Sequence, residues 1–263
     1  MSHGDPVWEQ LRKEAKKTAA SEKLLSSFLE EVILSQTSLE RAISFHLAQK
    51  LHCQNIPSIT LFDLFLQIAR EDPVFQDAIR TDLTAISDRD PASNGILAPF
   101  LFFKGFHSLT AYRFAHHIWT SERRCLALFL QSLISEQFAV DIHPAAKIGK
   151  GILIDHATCL VIGETAVVGN NVSILHDVTL GGTGKEKGDR HPKVGAGVLI
   201  GAGAKILGNV KIGIGAKIGA GSVVLQDVPN HCSAAGVPAK IIGKCDVDQP
   251  ALSMDHQLHD PVI

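Results

Sequence analysis

From residue 141 to residue 229 an aliphatic side chain recurs at every sixth position, usually with glycine or another small residue beside it. The positions fall into three runs. Ile142, Ile148 and Ile154 form the first; Ile162, Val168, Ile174 and Leu180 the second; Val194, Ile200, Ile206, Ile212, Ile218 and Val224 the third. This period matches neither the 3.6-residue turn of a helix nor the two-residue alternation of a flat strand. It fits a solenoid in which each side of a turn contributes one inward aliphatic, so that about three hexapeptides close one triangular coil. Stacked coils then pair as parallel strands about 4.8 Å apart. Such a rod is rigid, and chemistry is expected where the repeat breaks: at 160–161 and across 181–193.

Composition divides the chain at the start of that repeat. All fifteen aromatic residues lie at or before Phe138, whereas three of the 22 glycines precede residue 140 and nineteen follow it. Large rings fill the irregular space between packed helices; a narrow aliphatic core with tight corners calls for glycine instead. The reading is therefore an α+β chain: an N-terminal all-α helical domain over 1–139, a parallel β-helix with an extruded loop over 140–244, and a flexible tail over 245–263. Within the helical part, Leu24, Leu25, Phe28, Leu29, Val32 and Ile33 form one apolar helical stripe. Thr60 is placed to cap a helix that stops before Asp72-Pro73, and Pro73 to open the next. Helices follow over 106–119 and 124–138, the second apolar on several faces and so expected to be buried or at a subunit interface. Ser87-Asp88-Arg89-Asp90-Pro91-Ala92 reads as a charged turn.

Several functional classes are excluded. A formal net charge of −2 over 263 residues gives no global basic field for nucleic acid. No apolar run approaches the roughly 18 residues of a membrane span, and the basic N-terminus lacks the apolar stretch of a secretory signal. Five cysteines, odd in number and scattered, fit reduced thiols in a cytoplasm.

The chemistry-bearing residues gather at the breaks. His156 and His176 each stand two places after a repeat aliphatic, so they share a hexapeptide position and lie one or more rungs apart. With no close His–His pair, no metal site is expected. The polar, glycine-rich segment 181–193 must leave the rod as a loop. Gly181-Gly182-Thr183-Gly184 offers unobstructed backbone N–H groups, as phosphate or thioester binding requires. Asp189-Arg190-His191-Pro192 sets a carboxylate, a guanidinium and an imidazole together.

DIHPAAKIGKG, LIDHAT, VIGETAVVG, VTLGGTG, GDRHPK, IGAGAKILGN, IGAGSVVL and AAGVPAK occur in this order, preceded by RDPA at 89–92 and FLFFKGFHSLTAYR. Together they closely resemble bacterial serine O-acetyltransferases, over nearly the whole chain. The resemblance implies a left-handed parallel β-helix that forms trimers, with helical domains joining two trimers into a hexamer. It implies acetyl-CoA as co-substrate, L-serine as acceptor and L-cysteine as feedback inhibitor. By motif, His156 of DHAT is the catalytic histidine and Asp141 of DIHP its partner. Asp90, Asp155, Arg190 and His191 fall on the serine site, and Gly182, Gly184, Ala202 and Lys217 on the CoA contacts. The chain ends in Ile263, as the family's tails that bind O-acetylserine sulfhydrylase do.

These residue types suit the reaction. A serine hydroxyl needs a base to attack a thioester, and an imidazole of ordinary pKa near 6.5 serves. A carboxylate at Asp141 would fix the tautomer and favour the imidazolium. Arg190 can clamp the carboxylate of a zwitterion while Asp90 and Asp155 balance its ammonium. No cysteine lies in a motif for an acyl-enzyme, so direct transfer in a ternary complex is expected. His143, His176, His107, His116 and His117 read as structural, and Glu164 as either a supporting carboxylate or a corner residue. Two other readings stand beside this one: a hexapeptide acetyltransferase with a different hydroxyl or amine acceptor, and a non-catalytic scaffold acting through its tail.

Overall fold

A computed structural model describes residues 4–184, 187–245 and 247–258. The chain forms two compact units, Met1–Phe103 and Lys104–Ile263.

The first unit is helical. Helix α1 (Pro6–Ser21) starts on Asp5, whose carboxylate accepts from Val7 N and Trp8 N. The apolar stripe that follows is broken: a 3₁₀ turn (Lys23–Leu25), helix α2 (Ser26–Leu29) and a π turn (Glu30–Leu34) carry it in pieces. Leu29, Val32 and Ile33 reach the core, while Leu24 is 89% exposed. Helices α3 (Leu39–Leu51), α4 (Ser58–Glu71), α5 (Pro73–Arg89) and α6 (Leu97–Phe102) follow. Thr60 does not cap α4. That helix opens at Ser58 behind Pro57, and the Thr60 N–H already donates to Pro57 O. Pro73 does open α5, and the Asp72 carboxylate accepts from Val74 N and Phe75 N. Arg80 ties the unit together, donating to Asp5 and Glu40 at 2.6 Å each. His46 is sealed in the core, stacked on Phe100 with Nε2 3.1 Å from Leu101 O.

The second unit holds helices α7 (Lys104–Thr120) and α8 (Arg124–Phe138) against the solenoid. Helix gives way to coil at Ala139, which caps α8 in the left-handed conformation, φ 55°. The composition change near 140 thus marks the end of the helices, while the two helices before it belong to the compact unit of the coil. Helix α7 lies on the coil through three polar ties: Tyr112 OH to Ala146 O, Arg113 to Gly149 O at 2.7 Å, and His116 Nδ1 with Pro144 O at 2.7 Å. Its N-terminal turn passes so close that a Cβ on Gly105 would lie 2.0 Å from Ile154 O.

The solenoid has three parallel sheets, one per side of the triangle. The first face stacks Val140–Ile142, Leu160–Ile162, Thr179–Gly181, Lys205–Leu207 and Val223–Val224. The second stacks Lys147–Ile148, Val167–Val168, Lys193–Val194 and Lys211–Ile212. The third stacks Leu153–Ile154, Ser173–Ile174, Leu199–Ile200, Lys217–Ile218 and Cys232–Gly236, closed by the antiparallel Ala239–Lys244. The three sequence runs therefore interleave in space. Ile142, Ile162, Leu180, Ile206 and Val224 form one aliphatic column; Ile148, Val168, Val194 and Ile212 the second; Ile154, Ile174, Ile200 and Ile218 the third. These side chains are buried, apart from the half-buried Ile148.

Two of the three corners need a left-handed residue three places after the aliphatic. At the corner after the second face these are Gly151, Asn171, Gly197, Gly215 and His231. After the third face they are Ala157, Asp177, Gly203 and Gly221. Glycine fills five of these nine corner positions, where its left-handed backbone costs least. Residues 247–258, expected to form part of a flexible tail over 245–263, are instead laid along the third face. Helix α9 (Pro250–Ser253) sits there, with Ser173 Oγ donating to Ala251 O at 2.9 Å. Among the described residues, no helix is long and apolar enough to cross a membrane.

Candidate active site

The first break in the repeat is a two-residue insertion at the third corner of the first coil. Ile154 pairs with Ile174 and Ile142 with Ile162, so twenty residues separate one rung from the next here. Ile162 to Leu180 takes eighteen. The extra length is absorbed by two further left-handed residues, His156 (φ 57°) and Cys159 (φ 63°), flanking the expected one at Ala157. Non-glycine residues in this region cost on the order of 1–3 kcal/mol each and persist only where surrounding bonds over-determine them. Here those bonds are Thr158 N to His156 O at 2.8 Å, Cys159 N to Ala139 O at 2.8 Å and Asp177 N to Thr158 O at 2.7 Å. Lys104 adds a bond to Thr158 Oγ1. The insertion pushes the His156 imidazole outward, leaving the side chain 73% exposed.

Two groups face that ring. Asp155 Oδ2 lies 3.7 Å from His156 Nε2. His176, on the next rung, meets it edge-on with centroids 5.6 Å apart. The shared hexapeptide position of the two histidines thus places them on adjacent rungs. Read as structural from sequence, His176 stands in the same cluster as His156, and that shared position was the available signal. Asp141 points outward from the first face, paired with Val161, and accepts from Gln131 Nε2 at 2.6 Å. Among the described contacts, no ion pair joins Asp141 to His156.

The second break is the loop at the corner between the first and second faces. Its return limb is anchored on Thr165. The Thr165 hydroxyl accepts from Arg190 N at 3.0 Å and His191 N at 3.1 Å, and lies 2.9 Å from His191 Nδ1. Thr165 N also donates to His191 Nδ1 at 3.2 Å. Because Nδ1 accepts, the proton of the neutral ring sits on Nε2, which is left as a donor. Burial, reinforced by the Arg190 charge, lowers the His191 pKa and keeps the ring neutral. The ring lies flat over Gly163, where a Cβ would fall 2.1 Å from its Cδ2 and Nε2. Arg190 donates to Glu164 Oε2 at 2.7 Å and to Gly188 O at 3.1 Å. That bond holds the Glu164 carboxyl below its ordinary range. Glu164 therefore supports the guanidinium, one of the two roles the sequence left open. His143 packs edge-on against Trp119 at 5.1 Å, its pKa lowered by burial.

The residues singled out in the sequence thus occupy different edges of the rod. Asp155, His156 and Ala202 lie at the third corner, and Gly182, Gly184, Arg190 and His191 at the first, with the first face between them. Gly182 stands beside His191, its Cβ position 3.6 Å from Nε2, and Gly184 is left-handed in open space. Lys217 is on the third face, buried under the chain's own C-terminal segment, where it donates to Gln257 O at 3.0 Å. Asp90 belongs to the other compact unit, where its carboxylate accepts from Ala92 N at 2.8 Å and shapes the turn after α5. No group of three or more metal-ligating side chains converges among the described residues.

A family model described as serine acetyltransferase, N-terminal, matches residues 7–111, and one for the bacterial transferase hexapeptide repeat matches 191–226. The chain is 52% identical to serine acetyltransferase of Escherichia coli K12, covering 96% of this chain and 93% of that protein. It is 55% identical to mitochondrial serine acetyltransferase 3 of Arabidopsis thaliana over 97% of this chain, and spans 66% of that relative's length. Three solved serine acetyltransferases share the fold. One in complex with cysteine has a TM-score of 0.94 at 50% identity, covering 96% of this chain and 98% of that one. The soybean enzyme complexed with serine has 0.88 at 58%, covering 90% and 97%. The Brucella abortus S19 enzyme in complex with coenzyme A has 0.90 at 48%, covering 92% and 96%.

Proposed function

The chain belongs to the serine acetyltransferase family, and from that premise we propose how its residues move an acetyl group from acetyl-CoA to the hydroxyl of L-serine, giving O-acetyl-L-serine and CoA. This is the first step of cysteine synthesis from serine, and L-cysteine inhibits it by feedback. His156 is the general base. It takes the hydroxyl proton as serine Oγ attacks the thioester carbon; the tetrahedral intermediate then collapses with loss of the C–S bond, and the imidazolium returns its proton to the CoA thiolate. Asp141 orients the ring and favours its charged form. Arg190 and His191 receive the serine carboxylate, while Asp90 and Asp155 balance its ammonium. Cysteine, a close match in shape, competes there. Gly182, Gly184, Ala202 and Lys217 contact CoA, which for Lys217 requires that the C-terminal segment covering it give way. The observation that carries this reading is the exposed His156 ring, held at a strained insertion beside Asp155 and His176. Thiol release from acetyl-CoA across a panel of hydroxyl and amine acceptors tests it. Serine should dominate; preference for another acceptor would favour a different hexapeptide acetyltransferase, and no turnover would favour a scaffold.

The separation of the two half-sites supports a shared site. One copy's third corner, with His156, faces another copy's loop, with Arg190, as in a closed trimer; two trimers join through their helical units into a hexamer. Mixing His156→Ala with Arg190→Ala chains should restore part of the activity that each lacks alone. The five free cysteines accord with a cytoplasmic setting. Ile263 lies outside the described residues. Its proposed role, insertion into O-acetylserine sulfhydrylase, predicts that deleting Ile263 abolishes that binding and spares acetyl transfer.

A further inference from the structure

We propose that Gln131 is a positioning residue for the reaction: its amide fixes the carboxylate of Asp141 and so sets the turnover rate without touching either substrate. The inference rests on the reading of Asp141 as the partner of His156. Asp141 is the middle residue of Val140–Ile142, and pairing with Val161 fixes its main chain. Pairing leaves the side-chain torsions free. The carboxylate opens onto a groove of about 280 Å³ that it shares with Gln131, Ser135 and Glu136, so water could solvate it in several rotamers. Gln131 removes that freedom with a bond from Nε2 to Asp141 Oδ1 at 2.6 Å.

The support is itself rigid. Gln131 rides on α8, which is anchored on either side by the buried Leu130 and Ile134. The residue type also fits the task. A carboxylate offers about four acceptor directions, and one amide donor leaves Oδ2 free for an imidazole N–H. Lysine or arginine would fix the carboxylate as well, but would cancel the charge that favours an imidazolium. A second carboxylate would repel it. A neutral donor orients Asp141 and keeps its charge available.

The test uses the full chain and four variants: Gln131→Met, which keeps length and packing but has no donor; the isosteric Gln131→Glu; Asp141→Ala; and the double variant Gln131→Met/Asp141→Ala. Loss of a hydrogen bond to a charged group predicts a fall in kcat of about tenfold in Gln131→Met. KM for serine and for acetyl-CoA should stay within about twofold, because neither substrate touches the residue. Gln131→Glu should lose at least as much, which separates the donor from packing should methionine disturb the helix. In the Asp141→Ala background, Gln131→Met should change nothing further. Full kcat in Gln131→Met alongside a large loss in Asp141→Ala would overturn the inference alone. So would a loss from Gln131→Met that is undiminished in the double variant. Full kcat in Asp141→Ala would overturn the Asp141 assignment and this inference with it.

Discussion

Replacing Gly163 with alanine gives a sharp test of the proposed serine site. Gly163 has no left-handed backbone angle, so alanine introduces no main-chain strain, and its N–H would still donate to Leu180 O. What changes is space. The new Cβ would lie 2.1 Å from Cδ2 and Nε2 of His191 and 2.9 Å from Cε1. The ring cannot keep its place, and swinging away breaks the bonds of Nδ1 with Thr165 N and Oγ1. Each is worth about 0.5–1.5 kcal/mol net, so the seat loses about 1–3 kcal/mol, or about 5- to 150-fold in an equilibrium constant. If His191 holds serine, this appears in KM for serine, while KM for acetyl-CoA stays near the wild-type value. Steady-state thiol-release kinetics with each substrate varied in turn reads both. A KM for serine within about twofold of wild type would refute the reasoning, because the displaced ring would then have no part in binding.

Three further outcomes follow from the same geometry. Gly105→Ala drives a Cβ to 2.0 Å from the carbonyl oxygen of Ile154, a backbone atom that cannot swing aside, and should lower stability by about 1–3 kcal/mol in thermal melts. Arg190→Lys loses the planar fork held by Glu164, which on the proposed reading clamps the serine carboxylate; KM for serine should rise about tenfold, with acetyl-CoA unaffected. Burial first, and Lys50 second, lower the His46 pKa from 6.5 to about 4. The stabilisation from neutral His46 is therefore complete above about pH 6.5 and fades as pH falls towards 4, by on the order of 3 kcal/mol. Urea melts across that range should show the slope in wild type and not in His46→Gln.

The repeat made the solenoid legible because a six-residue period has few physical solutions. The registers Ile142–Ile162–Leu180 and Ile154–Ile174–Ile200 are what three-sided coils require. The breaks were legible as well, since neither the insertion before Ile162 nor a polar loop can continue an aliphatic column. Boundaries set by packing were not. Local propensity cannot tell that α7 and α8 belong with the coil, because tertiary contacts decide it. Residues 247–258 looked free because they lack apolar periodicity, yet Ser173, Gly197 and Lys217 hold them through bonds to Ala251 and Gln257 that no pattern reveals. Gln131 was invisible for a similar reason. It sits within an apolar helix, and its partner lies across the turn at Ala139.

The central claim is that the imidazole of His156 takes the proton from serine. Its most direct test is kcat for His156→Ala, measured beside equilibrium binding of acetyl-CoA. The account predicts a fall in kcat of at least about a hundredfold with acetyl-CoA binding unchanged. A variant that binds acetyl-CoA and turns over at a near-normal rate would contradict it.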